Sequence, residues 1–147
     1  MIEQSISRLK KIIPESAEKM KNIPEDIMSA KPSPEKWSKK EILGHLIDSA
    51  ANNHSRFVRA QFEEHPFKIQ EYSQDKWVNS QNYRSMNTAD IISMWEIYNG
   101  HITRVLEKIP REKLSTPVDI GTSESLTLEW LIKDYVDHIE HHLKQVL

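Results

Sequence analysis

Three histidines carry the chemistry that this chain's residue types can support. His138 and His142 stand four residues apart in the run from Asp137 to Val146. On a helix, residues i and i+4 face the same way, so the pair can hold one ion together. His45 lies in a second run, Trp37 to Asp48, that also reads as helix. A histidine from that helix would complete a three-nitrogen site with coordination positions left open. A catalytic metal needs those positions, because water or substrate must occupy what the protein leaves free. A His-x-x-x-His pair also arises by chance in a chain with 7 histidines, so spacing alone leaves a solvated pair and a metal site both open.

Other chemistries fit less well. The chain has no cysteine, which removes thiolate ligands, disulfides and cysteine nucleophiles and leaves nitrogen and oxygen to hold any metal. The zincin pattern places a glutamate directly after its first histidine, and Ile139 holds that position here. Glu140 falls about 200° around the helix from His138 and cannot act as that base. No serine sits in a nucleophile elbow, and there is no glycine-rich phosphate loop. His54, His65 and His101 read as surface or loop residues. His141, about 60° from His138 on the polar side, reads as a surface or supporting residue rather than a ligand.

Four helices must position the triad. Ile2, Ile6, Leu9, Ile13 and Met20 recur at helical spacing, which predicts a helix over 2–22, with Pro14 kinking or restarting it. Residues 23–37, with Pro24, Pro32 and Pro34, read as a connection holding at most one helical turn. Ser38 and Glu41 form a capping box before the next helix, expected to reach about residue 62. Residues 65–87 lack a clear period, carry scattered aromatics and read as a functional loop or lid. Asn87 or Thr88 caps a third helix running to about Ile109. The connection 110–126 admits a short hairpin at Val118–Thr122. Thr127 caps a final helix that continues to the C-terminus. These elements imply an all-α four-helix bundle, one domain over residues 1–147.

Helical geometry places the histidines at the margin of the apolar stripes. On the second helix, Asp48, Asn52 and Arg56 fall within about 60° of His45, on its polar side. On the last, His142 lies at about 40° and Asp134 at about −40° from His138. Such a site belongs at a bundle mouth or groove that water can reach. Asp48 and Asp134, each one turn from a histidine, are the candidates for orienting a ligand or transferring a proton, with an ordinary solvated carboxylate as the alternative for each. Tyr72 and Trp77 are candidates for a lid over the site, or for anchors of the loop in the core.

Composition bounds the partners. The 147 residues suffice for one substantial core. A net charge of −2, from 20 basic and 22 acidic residues, offers no case for nucleic acid or an anionic membrane. No apolar run reaches the roughly 18 residues needed to span a bilayer. The N-terminus lacks the regions of a signal peptide, so a cytoplasmic protein is expected.

The motifs as a set resemble the DinB/YfiT superfamily over nearly the whole length. Trp37-Ser38 through His45 and Asp48 is similar to the family's first histidine motif, which Asn53 to Phe57 continues. Tyr72 to Trp77 resembles the loop after the second helix, and Leu126 to Leu131 the approach to the last. His138 to Gln145 matches the closing histidine pair and its trailing glutamine, although the usual Arg-Gly-Gln after the last histidine is Leu143-Lys144-Gln145 here. The resemblance implies His45, His138 and His142 as ligands of a divalent ion, zinc or nickel first, iron or manganese also compatible. It implies a metal-dependent hydrolase, or a thiol-dependent transferase or isomerase using bacillithiol or mycothiol, acting on a small molecule. It is also compatible with a homodimer. The rival class is a non-catalytic, stress-related protein that binds a metal or small molecule without turnover. One fold hosts many chemistries, so the family sets the site more firmly than the reaction.

Overall fold

The computed structural model describes residues 1–147. Its four long helices are α1 (Ile2–Lys21), α3 (Lys39–Arg59), α5 (Thr88–Glu107) and α6 (Leu128–Val146), joined by segments that hold the short helices α2 (Glu25–Ser29) and α4 (Gln74–Gln81). α1 and α3 each pack on both α5 and α6, so the order around the bundle is α1, α5, α3, α6. Consecutive pairs α1/α3 and α5/α6 therefore lie diagonally, and their connections must cross an end of the bundle. No helix is long and apolar enough to cross a membrane.

The caps expected from sequence form. Ser38 Oγ accepts from Glu41 N–H at 3.1 Å, and Glu41 Oε1 accepts from Ser38 N–H at 3.0 Å. Asn87 caps α5 and Thr127 caps α6 through the same side-chain-to-backbone contact. Each such cap contributes about 1 kcal/mol by satisfying an end-of-helix donor. α1 continues through Pro14 without a break; the proline lies on the exposed face. α3 stops at Arg59, short of the expected 62.

Two features depart from the sequence reading. The segment 65–87 is not a bare loop: α4 forms over Gln74–Gln81 with Ser73 as its cap. The 110–126 connection does form a hairpin, but its strands are β2 (Pro117–Asp119) and β3 (Leu126–Thr127), with Val118 opposite Leu126. β1 (Phe67–Lys68), from the other long connection, joins β2 in parallel. The small sheet thus ties the connection between α3 and α5 to the crossover between α5 and α6.

The core is continuous across all four long helices, with Trp95, Tyr83, Tyr135 and Phe57 among its largest fully buried side chains. α3 is covered nearly all round over Leu43–Ala50, because α4 and the turn at Tyr83–Ser85 cover the side that α5 and α6 leave open. Gly44 is what admits them. A Cβ there would stand 2.2 Å from the Tyr83 ring, inside any real carbon–carbon contact. The ring is 1% exposed and its hydroxyl donates to Asp48 Oδ1 at 2.6 Å, so it has no easy retreat.

Gly44→Ala is therefore expected to destabilise. Overpacking of about 1–3 kcal/mol outweighs the ~1 kcal/mol that alanine gains in helix propensity. A denaturant midpoint at or above that of wild type would show that Tyr83 can move aside.

Candidate metal centre

α3 and α6 run antiparallel, and their register sets the site. Lys39, at the start of α3, donates to the Val146 carbonyl at the end of α6 at 2.7 Å. One and a half turns further along α3, His45 meets His138 and His142. His45 Nε2 lies 3.2 Å from His138 Nε2, and ligand nitrogens of all three histidines fall within 4.8 Å of one another. No other histidine, aspartate or glutamate joins the group.

The free nitrogens are the right ones. His142 Nδ1 pairs with Gln145 Oε1 at 2.8 Å, which fixes its proton there and turns the Nε2 lone pair to the cluster. His138 Nδ1 lies 3.4 Å from Ser49 Oγ, leaving Nε2 toward His45. Asn53 Nδ2 donates to Ser49 Oγ at 3.3 Å and holds it in place. His45 is fully buried; its Nδ1 has no hydrogen-bond partner, and the Trp37 ring lies 5.0 Å away between centroids.

Electrostatics favour neutral rings. Burial, then the neighbouring imidazoles, lowers the His45 pKa to about 3. The same causes lower His138 to about 4. Both rings are unprotonated at neutral pH, the state that ligates. Two nitrogens bound to one tetrahedral ion at about 2.0–2.1 Å stand about 3.3 Å apart, close to the spacing between His45 and His138. The donor set and this spacing fit a divalent ion.

Beside His138 opens a cavity of about 420 Å³. Ser49, Asn53 and Arg56 of α3 form one wall, and Trp130, Leu131, Asp134 and Tyr135 of α6 another. Ile69, Glu71, Tyr72 and Gln74, with Ile120 just after β2, close the third. Ile69 and Ile120 directly follow β1 and β2, so the sheet that joins these two connections positions part of the cavity wall.

The other candidates fall in different places. Asp134 stands exposed at the cavity; the wall it backs onto, then the Asp137 charge, raises its carboxyl. Asp48 is 1% exposed, not on a solvated face, because α4 and Tyr83 cover that side of α3. Its Oδ1 accepts from Tyr83 Oη and from Gln81 Nε2 at 2.7 Å, while Oδ2 has no partner, and burial raises its carboxyl. It bonds none of the three histidines. Tyr72 lines the cavity and Trp77 does not; the two rings meet at 5.5 Å. Val78 and Tyr83, rather than Trp77, anchor this segment in the core. Glu140 points to α1, where Arg8 binds it at 2.6 Å and Asp137 at 2.7 Å. His54 pairs with Tyr98 Oη at 2.8 Å, and His65, His101 and His141 are exposed.

Sequence reasoning assigned no role to Ser49 or Gln145. The signals were there: Ser49 is four residues after His45, and Gln145 three after His142, each on the ligand face.

The chain belongs to the DinB superfamily, whose model matches residues 9–146. It is 24% identical over 111 residues to YfiT of Bacillus subtilis (strain 168), a metal-dependent hydrolase by inference; the match covers 75% of this chain. The chain spans 62% of that relative's length. The solved structure of Bacillus subtilis YfiT, which has an unusual four-helix bundle topology, matches with a TM-score of 0.85 at 20% identity, over 99% of this chain and 83% of that one. The mycothiol-dependent maleylpyruvate isomerase matches with a TM-score of 0.78 at 10% identity, over 99% of this chain and 60% of that one. Likenesses at these identities establish the fold.

Metal titration is expected to give about one divalent ion per chain, and His138→Ala to abolish tight binding. Gln145→Ala should weaken affinity by about 10–100-fold, since it frees the ring that the glutamine orients. Glu140→Gln should leave affinity unchanged, because that carboxylate serves Arg8. Calorimetry on the three variants checks all of this; an affinity loss in Glu140→Gln equal to that in Gln145→Ala would sink the assignment.

Proposed function

We propose that this chain is a divalent-metal-dependent enzyme of the cytoplasm, acting by hydrolysis or thiol-dependent S-transfer on a small molecule held in the cavity beside His138. The observation that carries this reading is the convergence of three imidazole nitrogens, with no fourth protein donor, next to a cavity of substrate size. The names of the relatives point the same way: one is a metal-dependent hydrolase by inference, the other a mycothiol-dependent isomerase. A structural metal is normally enclosed by four protein ligands, and a set of three suits chemistry better.

His45, His138 and His142 would hold the ion. Zinc or nickel suits the all-nitrogen set best, with iron and manganese compatible. When bound, such an ion supplies Lewis-acid activation of an oxygen or sulfur nucleophile. The remaining work falls to the chain's own residues. Gln145 and Ser49 keep His142 and His138 turned to the site. Ile69, Ile120, Trp130 and Leu131 exclude water from much of the cavity. Asp134 reaches the cavity with a raised carboxyl, suited to taking a proton from the nucleophile and returning it to the leaving group. Asp48, held by Tyr83 and Gln81, keeps one carboxylate oxygen without a partner behind the site and is the second candidate for proton transfer.

Cobalt-substituted protein provides the test. An open site should change its visible spectrum on addition of azide or cysteine, because exchange at a free position is the minimum for either reaction. A spectrum indifferent to every such ligand would favour a closed structural metal and a binding protein without turnover. Once a substrate is found, Asp134→Asn should slow turnover by about 10²–10⁴-fold with the metal retained. An unchanged rate would remove Asp134 from the proton path.

A further inference from the structure

Arg56 is the unusual charge of this molecule. Arg8, Arg59 and Arg111 each pair with a carboxylate within 4.0 Å. Arg84 and Arg104 are exposed to solvent. Arg56 is half-buried and has no ion-pair partner, yet it lines the cavity beside the histidines. Its Nη2 donates to the Gln70 carbonyl at 2.8 Å, and its Nη1 lies 3.5 Å from Asn53 Oδ1. The guanidinium carbon lies 5.9 Å from the centroid of the Tyr72 ring. A guanidinium has five N–H donors in a planar fork, so three remain without a protein acceptor.

This arrangement costs stability. A half-buried cation without a counter-ion loses hydration and gains no ion pair. Burial pulls the guanidinium below the ordinary arginine range, and the Tyr72 and Glu71 side chains oppose this only in part. The contacts to Gln70, Asn53 and Tyr72 fix the fork in position but do not neutralise it. A fixed, partly desolvated guanidinium in a cavity wall, with no ion pair of its own, is how proteins recognise oxyanions.

We propose that Arg56 binds the carboxylate of a small carboxylate-bearing substrate in this cavity, an inference that rests on reading the cavity as the substrate site. Arg56 follows Ser49 by seven residues, two turns and about 10.5 Å along the same face of α3. Ser49 in turn touches His138. The carboxylate end of the substrate is thereby held about two turns of α3 from the reacting end. The apolar wall of Ile69, Ile120, Trp130 and Leu131 suits an apolar body between the two. A monoanion is favoured over a dianion, because Glu71 and Asp134 share the cavity with Arg56 and repel two charges of a phosphate more than one charge of a carboxylate.

Tryptophan fluorescence of the metal-free protein, titrated with 3-phenylpropionate, its neutral amide and inorganic phosphate, tests this. Wild type should bind the carboxylate about tenfold or more tighter than the amide, and phosphate more weakly than the carboxylate. Arg56→Gln should bring the carboxylate-to-amide ratio close to one, and Arg111→Gln should leave it unchanged. Arg56→Lys, which keeps the charge without the fork, should retain part of the preference even if loss of the Gln70 contact loosens the segment after β1. A ratio near one in wild type, a ratio unaltered by Arg56→Gln, or phosphate binding as tightly as the carboxylate would overturn the proposal. Zinc stoichiometry measured on the same samples separates the two readings. Failure of wild type to bind zinc would sink the metal-dependent function while leaving the carboxylate ratio to decide the role of Arg56.

Discussion

The antiparallel register of α3 against α6 is the constraint on which the rest of the molecule depends. A histidine pair on one helix faces one way by geometry alone, but a third nitrogen must arrive from outside that helix at ångström precision. Here it arrives because Lys39 meets the carbonyl of Val146 and the apolar faces of the two helices mesh between that contact and Phe57 against Tyr135, whose rings lie 5.5 Å apart. A slip of one residue along α3 would turn His45 by about 100° and leave two histidines on an otherwise ordinary surface. Site and core are thus specified by the same packing.

Bringing three imidazoles together in a half-buried place is unfavourable for any protonated form, and the surroundings reflect this. His45 has no hydrogen bond at Nδ1 and is fully buried, so it stays neutral. About 60° around α3 from it lies another buried polar residue, Asp48, which Tyr83 and Gln81 hold by one oxygen. Two of the three buried side-chain atoms without a partner therefore sit within one turn of each other on α3. Unsatisfied buried groups weaken a fold, and their concentration at one place in an otherwise well-capped bundle marks where function overrides stability.

Much of this was legible in the sequence. The four long helices follow from 3.6-residue periodicity and from caps whose side chains do what their types predict. The histidine pair follows from its spacing. What stayed hidden lacked a one-dimensional signal. α4 buries only Val78 among its eight residues, so no apolar stripe announces it. β1, β2 and β3 are two or three residues long, and β1 pairs with a strand some fifty positions away. The helical wheel placed Asp48, Asn52 and Arg56 on a polar side, and that grouping is right. The inference that polar means solvated fails because tertiary structure, in the form of α4 and the Tyr83 turn, covers that side. Gly44 was the available clue: a glycine inside a long amphipathic helix costs about 1 kcal/mol and calls for a close neighbour.

The polar side of α3 then acquires a different meaning. Part of it lines the site rather than an outer surface, with residues of one face spaced at four and then seven: His45, Ser49 and Arg56. In the proposed enzyme the first holds the ion, the second, 3.4 Å from His138 Nδ1, supports a ligand across the interface, and the third presents its charge two turns further along α3. An imidazole ligand carries no charge when it binds a metal, so a divalent ion held by these three would keep its full charge, which a carboxylate in the set would reduce. The cavity would then have a cation at each end, the ion beside His138 and the guanidinium of Arg56, with Asp134 and Glu71 as its only anions. Such a field selects a molecule with negative character at both ends, one permanent and one developing during reaction, and it disfavours a neutral or cationic one.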